Sequence, residues 1–263
     1  MDKTLRTSAS GLNAQQRYVE IIANNIANVN TTGYKSVRPE FQDLLYETLR
    51  PAGAISRNGV EPLNAVQIGS GVELVGTARY FHQGDVVGTA RELDLAIHGE
   101  GFFVVEMPDG TNVYTRDGTF SLNDVGEVVN PQGYRLIPSI YIPDDVVEIQ
   151  ISKNGTFNVL RNDSIEVEMR GQIELARFVN PAGLRALGEN IFVETPASGA
   201  PIFQEPGENN TGEILQKYLE SSNVSIVEEM VNMITAQRAY ELNSKSVQTA
   251  DNILATATQL KRQ

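Results

Sequence analysis

Apolar residues recur every seven positions at both ends of the chain: Leu5, Leu12, Val19 and Ile26 near the start, Ile226, Met233, Tyr240, Val247 and Leu254 near the finish. That interval puts side chains along one seam of an α-helix, as in coiled coils. The spacing predicts a helix over residues 3–29, its seam widened by Ala9, Ile22, Ala23 and Val29. Asn30-Thr31-Thr32-Gly33 closes it, and Gly33 suits a left-handed residue just past the last turn. The second helix is predicted to start at Ser225, because Ser225-Ile226-Val227-Glu228 has the spacing of a capping box. If it reaches Leu260 it spans roughly 54 Å at ~1.5 Å per residue, too long to pack on one small domain. Beside its seam run Ala236, Asn243, Ala250 and Ala257, small residues that let a neighbouring helix come close.

Between the helices the period drops to two. All eleven prolines lie between Pro39 and Pro206, and no glycine follows Gly212. Residues 34–75 are expected to hold few regular elements, with Phe41–Tyr46 a short helix or strand and 51–71 an extended connection. From about Gly76 short alternating runs, among them Leu93–Ile97, Phe102–Val105, Val113–Thr115, Val128–Val129, Val146–Ile151, Thr156–Leu160 and Ile173–Ala176, predict strands. Pro108-Asp109-Gly110, Arg116-Asp117-Gly118, Asn123–Gly126, Pro131-Gln132-Gly133 and Lys153-Asn154-Gly155 separate them as turns, since Asn, Asp and Gly tolerate positive φ. Many short strands with no helices between them imply an antiparallel β domain. The expected class is α+β: a coiled-coil-like helical domain from residues 1–35 and 219–263, a connecting segment over 36–75, and an inserted β-rich domain over 76–218.

At 263 residues and 41% apolar content the chain is long enough to bury a real core. Its net charge of −12 is uneven: residues 1–50 carry 6 basic and 5 acidic groups, residues 219–263 carry 4 and 5, and the whole deficit falls in 51–218. Near-neutral ends favour self-association, while an acidic body discourages contact with nucleic acid or anionic lipid. Without cysteine there are no disulfides, thiolate metal sites or cysteine nucleophiles. Met1–Arg6 lacks the apolar core of a secretory signal, and no run approaches eighteen apolar residues.

Catalytic chemistry has little to stand on. His82 and His98, in a predicted loop and strand, have no spacing partners for a dyad or a metal site. Gly99-Glu100-Gly101-Phe102-Phe103-Val104 starts like a dinucleotide fingerprint but has Val104 at the third glycine and leads into a strand. Asp144-Asp145, Asp94 with Glu92, and Asp117 are the acidic groupings a glycosidase reading would need. With 33 acidic residues such groupings arise by chance, and no catalytic, cofactor or metal residue is expected. The asparagines Asn24, Asn25, Asn28 and Asn30 weigh more, because asparagine is a mediocre helix former. They are either a fraying last turn or amides that fix register across a subunit contact. The residues expected to carry that contact are Leu5, Leu12, Val19, Asn24, Asn25, Ile26, Asn28, Ile226, Met230, Met233, Gln237, Tyr240, Val247 and Leu254.

Leu12–Gln16 with Ala23-Asn24-Asn25-Ile26-Ala27-Asn28-Val29-Asn30-Thr31-Thr32-Gly33-Tyr34-Lys35 resembles the N-terminal signature of the bacterial flagellar rod and hook proteins. Tyr218–Val224, Glu228–Ile234 and Gln237–Glu241 resemble the C-terminal signature of that axial family. Leu93–Ile97 with Gly101-Phe102-Phe103, Tyr114–Gly118 and Phe178–Leu184 carry the likeness through the middle. Within the family Phe41–Arg50, Gln67–Val72 and Ser198–Pro201 are most similar to subunits of the distal rod; a proximal rod or hook-type subunit is the alternative. Lys217, Asn209-Asn210 and Thr89–Glu92 depart from the family, which usually has glycine-containing turns there.

The resemblance implies a non-catalytic subunit of a helical tube, with terminal helices as the inner wall and the β domain outside. It implies copies of itself, other rod proteins, the hook protein and the surrounding bushing rings as partners. It also implies passage through the flagellar type III export apparatus without a cleaved signal, and assembly in the periplasm.

Overall fold

The computed structural model describes residues 2–50, 64–143, 145–161 and 167–260. They form two compact units, one from residues 1–26, 37–78 and 225–263, the other from 27–36 and 79–224.

In the first unit α1 spans Asp2–Ala27. It stops short of Val29 because a turn takes over: the Thr31 N–H donates to the Asn28 carbonyl at 3.1 Å. Four strands follow, β1 (Val37–Asp43), β2 (Tyr46–Arg50), β3 (Val66–Gly69) and β4 (Val72–Arg79). β1 pairs with β4, and β2 pairs antiparallel with β3, setting Tyr46 opposite Gly69. This region is more regular than its sequence predicts, because β2 is exposed at every residue and so has no buried face to imprint an alternation. One side of α1 lies on these strands, with the Tyr18 ring edge-on to Phe41 at 6.2 Å and the Val72 N–H donating to Ser10 Oγ at 3.3 Å. The unit ends in α2, Ile226–Leu260. Ser225 caps it, its Oγ accepting the Glu228 N–H at 3.5 Å and its carbonyl the Glu229 N–H at 3.0 Å.

The second unit carries β5 (Val86–Gly88), β6 (Leu95–His98), β7 (Phe102–Glu106), β8 (Asn112–Thr115), β9 (Ser121–Leu122), β10 (Val128–Val129), β11 (Arg135–Ile137) and β12 (Val146–Ile151). It continues with β13 (Thr156–Arg161), β14 (Val167–Gln172), β15 (Leu175–Arg177), β16 (Arg185–Gly188), β17 (Ile191–Val193), β18 (Ile202–Gln204), β19 (Glu213–Gln216) and β20 (Tyr218–Glu220). A nine-stranded sheet follows the order β16-β17-β8-β7-β11-β10-β9, with β15 bridging β7 to β18. A three-stranded sheet, β12-β13-β14, and the pairs β19–β6 and β20–β5 complete it.

β7 explains why this arrangement is stable. Its Phe102, Phe103, Val104 and Val105 are all buried, so both faces of the strand are covered. Phe103 and Val105 join Leu95, Ile97, Phe120, Phe157 and Ile173 in the larger core. Phe102 and Val104 join Tyr114, Phe178 and Phe192 in a smaller aromatic one, where Phe102 meets Phe178 edge-on at 5.8 Å.

At two of the turns expected to hold glycine the backbone takes the conformation that glycine favours. Lys217 has φ +64°, and Asn209 and Asn210 have φ +46° and +66°. All three sit in the left-handed region that glycine occupies without penalty and that asparagine tolerates better than lysine. Replacing Lys217 by Gly should raise the unfolding free energy by about 1 kcal/mol, since the Glu92 partner of Lys217 stands 4.0 Å away at an exposed site and contributes little. Chemical denaturation of the two proteins measures the difference.

Burial also makes one side chain a pH probe. Tyr114 is 2% exposed, and burial, then the Glu194 charge, pushes its hydroxyl up from 10.0 to about 12. The folded chain thus keeps a proton that the unfolded chain releases. The stability Tyr114 contributes is complete below pH 10 and is lost as pH rises from 10.0 to about 12. In denaturation curves across that window, Tyr114→Phe should flatten this part of the alkaline loss.

Candidate assembly surface on the terminal helices

Two contacts define how the helices meet. The Asn25 amide donates from Nδ2 to Glu229 Oε1 at 2.9 Å. Near the other end Gly11 faces Asn243 so closely that a Cβ there would stand 2.9 Å from Asn243 Nδ2. Between these contacts α1 advances fourteen residues while α2 retreats fourteen, so the helices run antiparallel.

The stripe of α2 that is covered is the small one. Glu229, Ala236 and Ala250 are buried, Ala236 to 1% and Ala250 to 5%, with Asn243 between them half-buried. On α1 Ser8, Ala14, Ile22 and Asn25 are buried. Of the expected contact residues, Leu5, Leu12, Val19, Ile26, Asn28, Met233, Val247 and Leu254 are half-buried. Ile226, Met230, Gln237, Tyr240 and Asn24 are exposed. The larger side chains spaced by seven thus flank a tight small-residue contact.

Asn25 is tied within the chain. It also donates from Nδ2 to the Val37 carbonyl at 2.9 Å, and its Oδ1 accepts the Val37 N–H at 3.0 Å. A small-residue stripe repeating every seven positions tolerates slippage by one heptad; a buried amide facing a buried carboxylate does not. Beside them Arg38 and Glu228 form an exposed pair at 3.2 Å, and burial, then the Glu229 charge, holds the Tyr18 hydroxyl above its usual range.

Away from this seam α2 carries a second apolar set. Val227, Val231 and Ile234 are exposed and lie around the helix from Glu229 and Ala236, while the exposed Leu242 and Ile253 border the covered stripe near Ala250.

In the second unit the two signature segments meet at a buried ion cluster that sequence reasoning missed. Lys35 Nζ pairs with Glu220 Oε1 at 2.5 Å and donates to the His82 carbonyl at 2.8 Å. Arg116 Nη1 pairs with Glu220 Oε2 at 3.2 Å, and its Nη2 donates to the Gly99 carbonyl at 2.8 Å. Burial holds both cations below their ordinary ranges, against the pull of Glu220. The Gly33 N–H donates to the Glu220 carbonyl at 2.8 Å, and Gly33, with φ +67°, has no room for a Cβ, which would stand 2.7 Å from the Arg116 backbone.

Of the residues considered for catalysis, Asp94 and Asp117 are brought together beside Thr119, with Arg91 pairing Asp94 at 3.5 Å. The His82 ring stacks on Tyr80 at 6.1 Å, and His98 is exposed at the end of β6. Asp117 accepts hydrogen bonds from the Thr119 N–H and Oγ1 at 3.1 and 2.9 Å, and burial raises its carboxyl. Asp145 pairs with Arg161 at 3.4 Å, while Asp144 lies outside the described residues. Among the described residues no three His, Asp or Glu side chains are grouped to hold a metal, and no helix is long and apolar enough to cross a membrane.

Comparison with known proteins matches residues 5–35 to the family described as "Flagella basal body rod protein". Residues 96–159 match "Flagellar hook protein FlgE/F/G D1 domain", and 215–260 match "Flagellar basal body rod FlgEFG protein C-terminal". The flagellar basal-body rod protein FlgG of Borreliella burgdorferi is 48% identical, covering 100% of both chains. That of Caulobacter vibrioides is 47% identical over 98% of this chain and 99% of its own, and that of Bacillus subtilis 36% over 100% of both. With matches at this level from end to end, the chain belongs to the family of flagellar basal-body rod proteins.

Proposed function

We propose that this structural subunit of the flagellar rod builds the distal rod, a self-assembling tube that transmits torque from motor to hook. The observation that carries the reading is the second apolar side of α2, exposed in one chain beside a stripe that α1 already covers. An uncovered helix face of this kind finds its partner in other copies. The two terminal helices are the assembly segments, paired in coiled-coil fashion to form the inner wall, with the β-rich remainder of the chain outside. The acidic charge confined to 51–218 supports that orientation, because near-neutral ends pack together more readily than an anionic body.

Other rod proteins, the hook protein and the bushing rings are the expected neighbours. The chain reaches the periplasm through the flagellar type III apparatus without signal cleavage and performs no catalysis. FlgG relatives matched over their full length favour the distal rod over a proximal rod or hook-type role.

Met230→Asp tests the exposed face. Met230 is outside the covered seam, so the isolated subunit should keep its stability within about 0.5 kcal/mol. Rods should nevertheless fail to form in cells carrying only this variant, as seen by electron cryotomography of their basal bodies. Normal rods would show that this side of α2 faces water in the assembly.

Asn25→Ala tests the register. Alanine is the better helix former by up to ~0.7 kcal/mol, but the change leaves Glu229 buried without its amide, at a cost of about 1–3 kcal/mol. We expect net destabilisation of the helical unit by thermal unfolding, together with short or absent rods. A more stable variant with full-length rods would return Asn25 to a helix-surface role.

A further inference from the structure

The ion cluster of the second unit is unbalanced, and the imbalance has a direction along the chain. The side chains of Lys35 and Glu220 are both 0% exposed and that of Arg116 is 4% exposed. Among the described residues Glu220 is the only carboxylate ion-paired with either cation. The other partners of the two cations are the His82 and Gly99 carbonyls and the Phe102 ring, over which the Arg116 guanidinium lies at 5.3 Å, and Arg116 Nε is buried without a hydrogen bond. Without Glu220 two like charges would sit together out of water, held by carbonyl dipoles, the face of the Phe102 ring under Arg116 and the more distant charge of Glu100, an arrangement that still disfavours burial. Glu220 lies 185 residues beyond Lys35 and 104 beyond Arg116.

The seat for Glu220 is made mostly of backbone from earlier segments. Gly84 N–H donates to its Oε1 at 2.9 Å, Gly33 N–H to its carbonyl at 2.8 Å, and β20 pairs with β5, Glu220 opposite Val86. A Cβ at Gly84 would fall 2.1 Å from the Ser221 carbonyl oxygen, so the arriving segment fits against bare backbone.

We propose that Glu220 is a closing latch: the second unit stays open, its two cations hydrated, until the segment carrying Glu220 is seated. Every other member of the cluster precedes it in the chain, so a polypeptide delivered from its N-terminus cannot complete this unit until nearly all of it has arrived. For a subunit exported as proposed above, the latch delays closure until the chain has cleared the conduit; only that consequence rests on the export route.

Full-length variants test the latch. Glu220→Gln keeps the shape and an acceptor for Gly84 but removes the counter-charge, and it should speed unfolding of the second unit at least tenfold. Amide exchange over residues 95–137 should rise with it, while α1 and α2 exchange as in the natural chain. Adding Lys35→Met to Glu220→Gln should recover most of that loss, because one buried cation less needs an anion. A hydrogen-bond role alone moves the other way, the second change adding to the first. In pulse-labelled refolding of the natural chain, β7 and β8 amides should gain protection no earlier than the Gly84 amide.

Natural stability of Glu220→Gln, a double variant weaker than the single one, or early protection of β7 would each overturn the latch. Should Glu220→Gln fail to fold, folding of the double variant supports the proposal and its failure refutes it.

Discussion

A carboxylate out of water must find a cation, and a pair of cations out of water must find a carboxylate; the second unit satisfies both demands at Glu220. Around that point the 27–36 segment, the loop at His82 and Gly84, the turn at Gly99 and the β8 end at Arg116 are held together. Hydrophobic burial in the two cores is the larger energy, but it is non-directional. The ions decide which segments sit beside which, and they bring both terminal signatures into one place.

The helical unit solves a different problem. Its stripe of Ala236, Asn243 and Ala250 against Gly11 allows close approach but repeats too regularly to choose a register. Asn25 and Glu229 supply the choice at a single level. Close packing and polar specification are separate functions carried by separate residues on one seam, with the larger side chains half-buried at its flanks and exposed on the far side of α2.

How much of this could be read from residue order depends on the range of each interaction. The helices were legible because a period of seven persists over many turns, β12 and β13 because turn residues bracket alternating runs, and β7 and β8 because turn residues bracket short apolar ones. β2, exposed throughout, and strands as short as β9 and β20 imprint no pattern. Within the chain the contact between the helices does not fall where side-chain size points, since Met233 and Val247 are half-buried while closeness selects Ala236 and Ala250. The cluster of Lys35, Arg116 and Glu220 was illegible, for no local rule links residues 104 and 185 positions apart. Its one trace was that Lys35 and Glu220 both lie inside the terminal signatures.

Both units are discontinuous in sequence: the chain leaves the first after Ala78 and returns to it at Ser225. Length can therefore be gained or lost within 79–224 without changing the number of residues in either helix or the register between them. The turn after β7 shows where such change meets least resistance, since Gly110 has no neighbouring atom within 4 Å of where a Cβ would stand and Asp109 is exposed. A family built on this plan is free to vary the size of its second unit while keeping the pairing of its terminal helices unchanged.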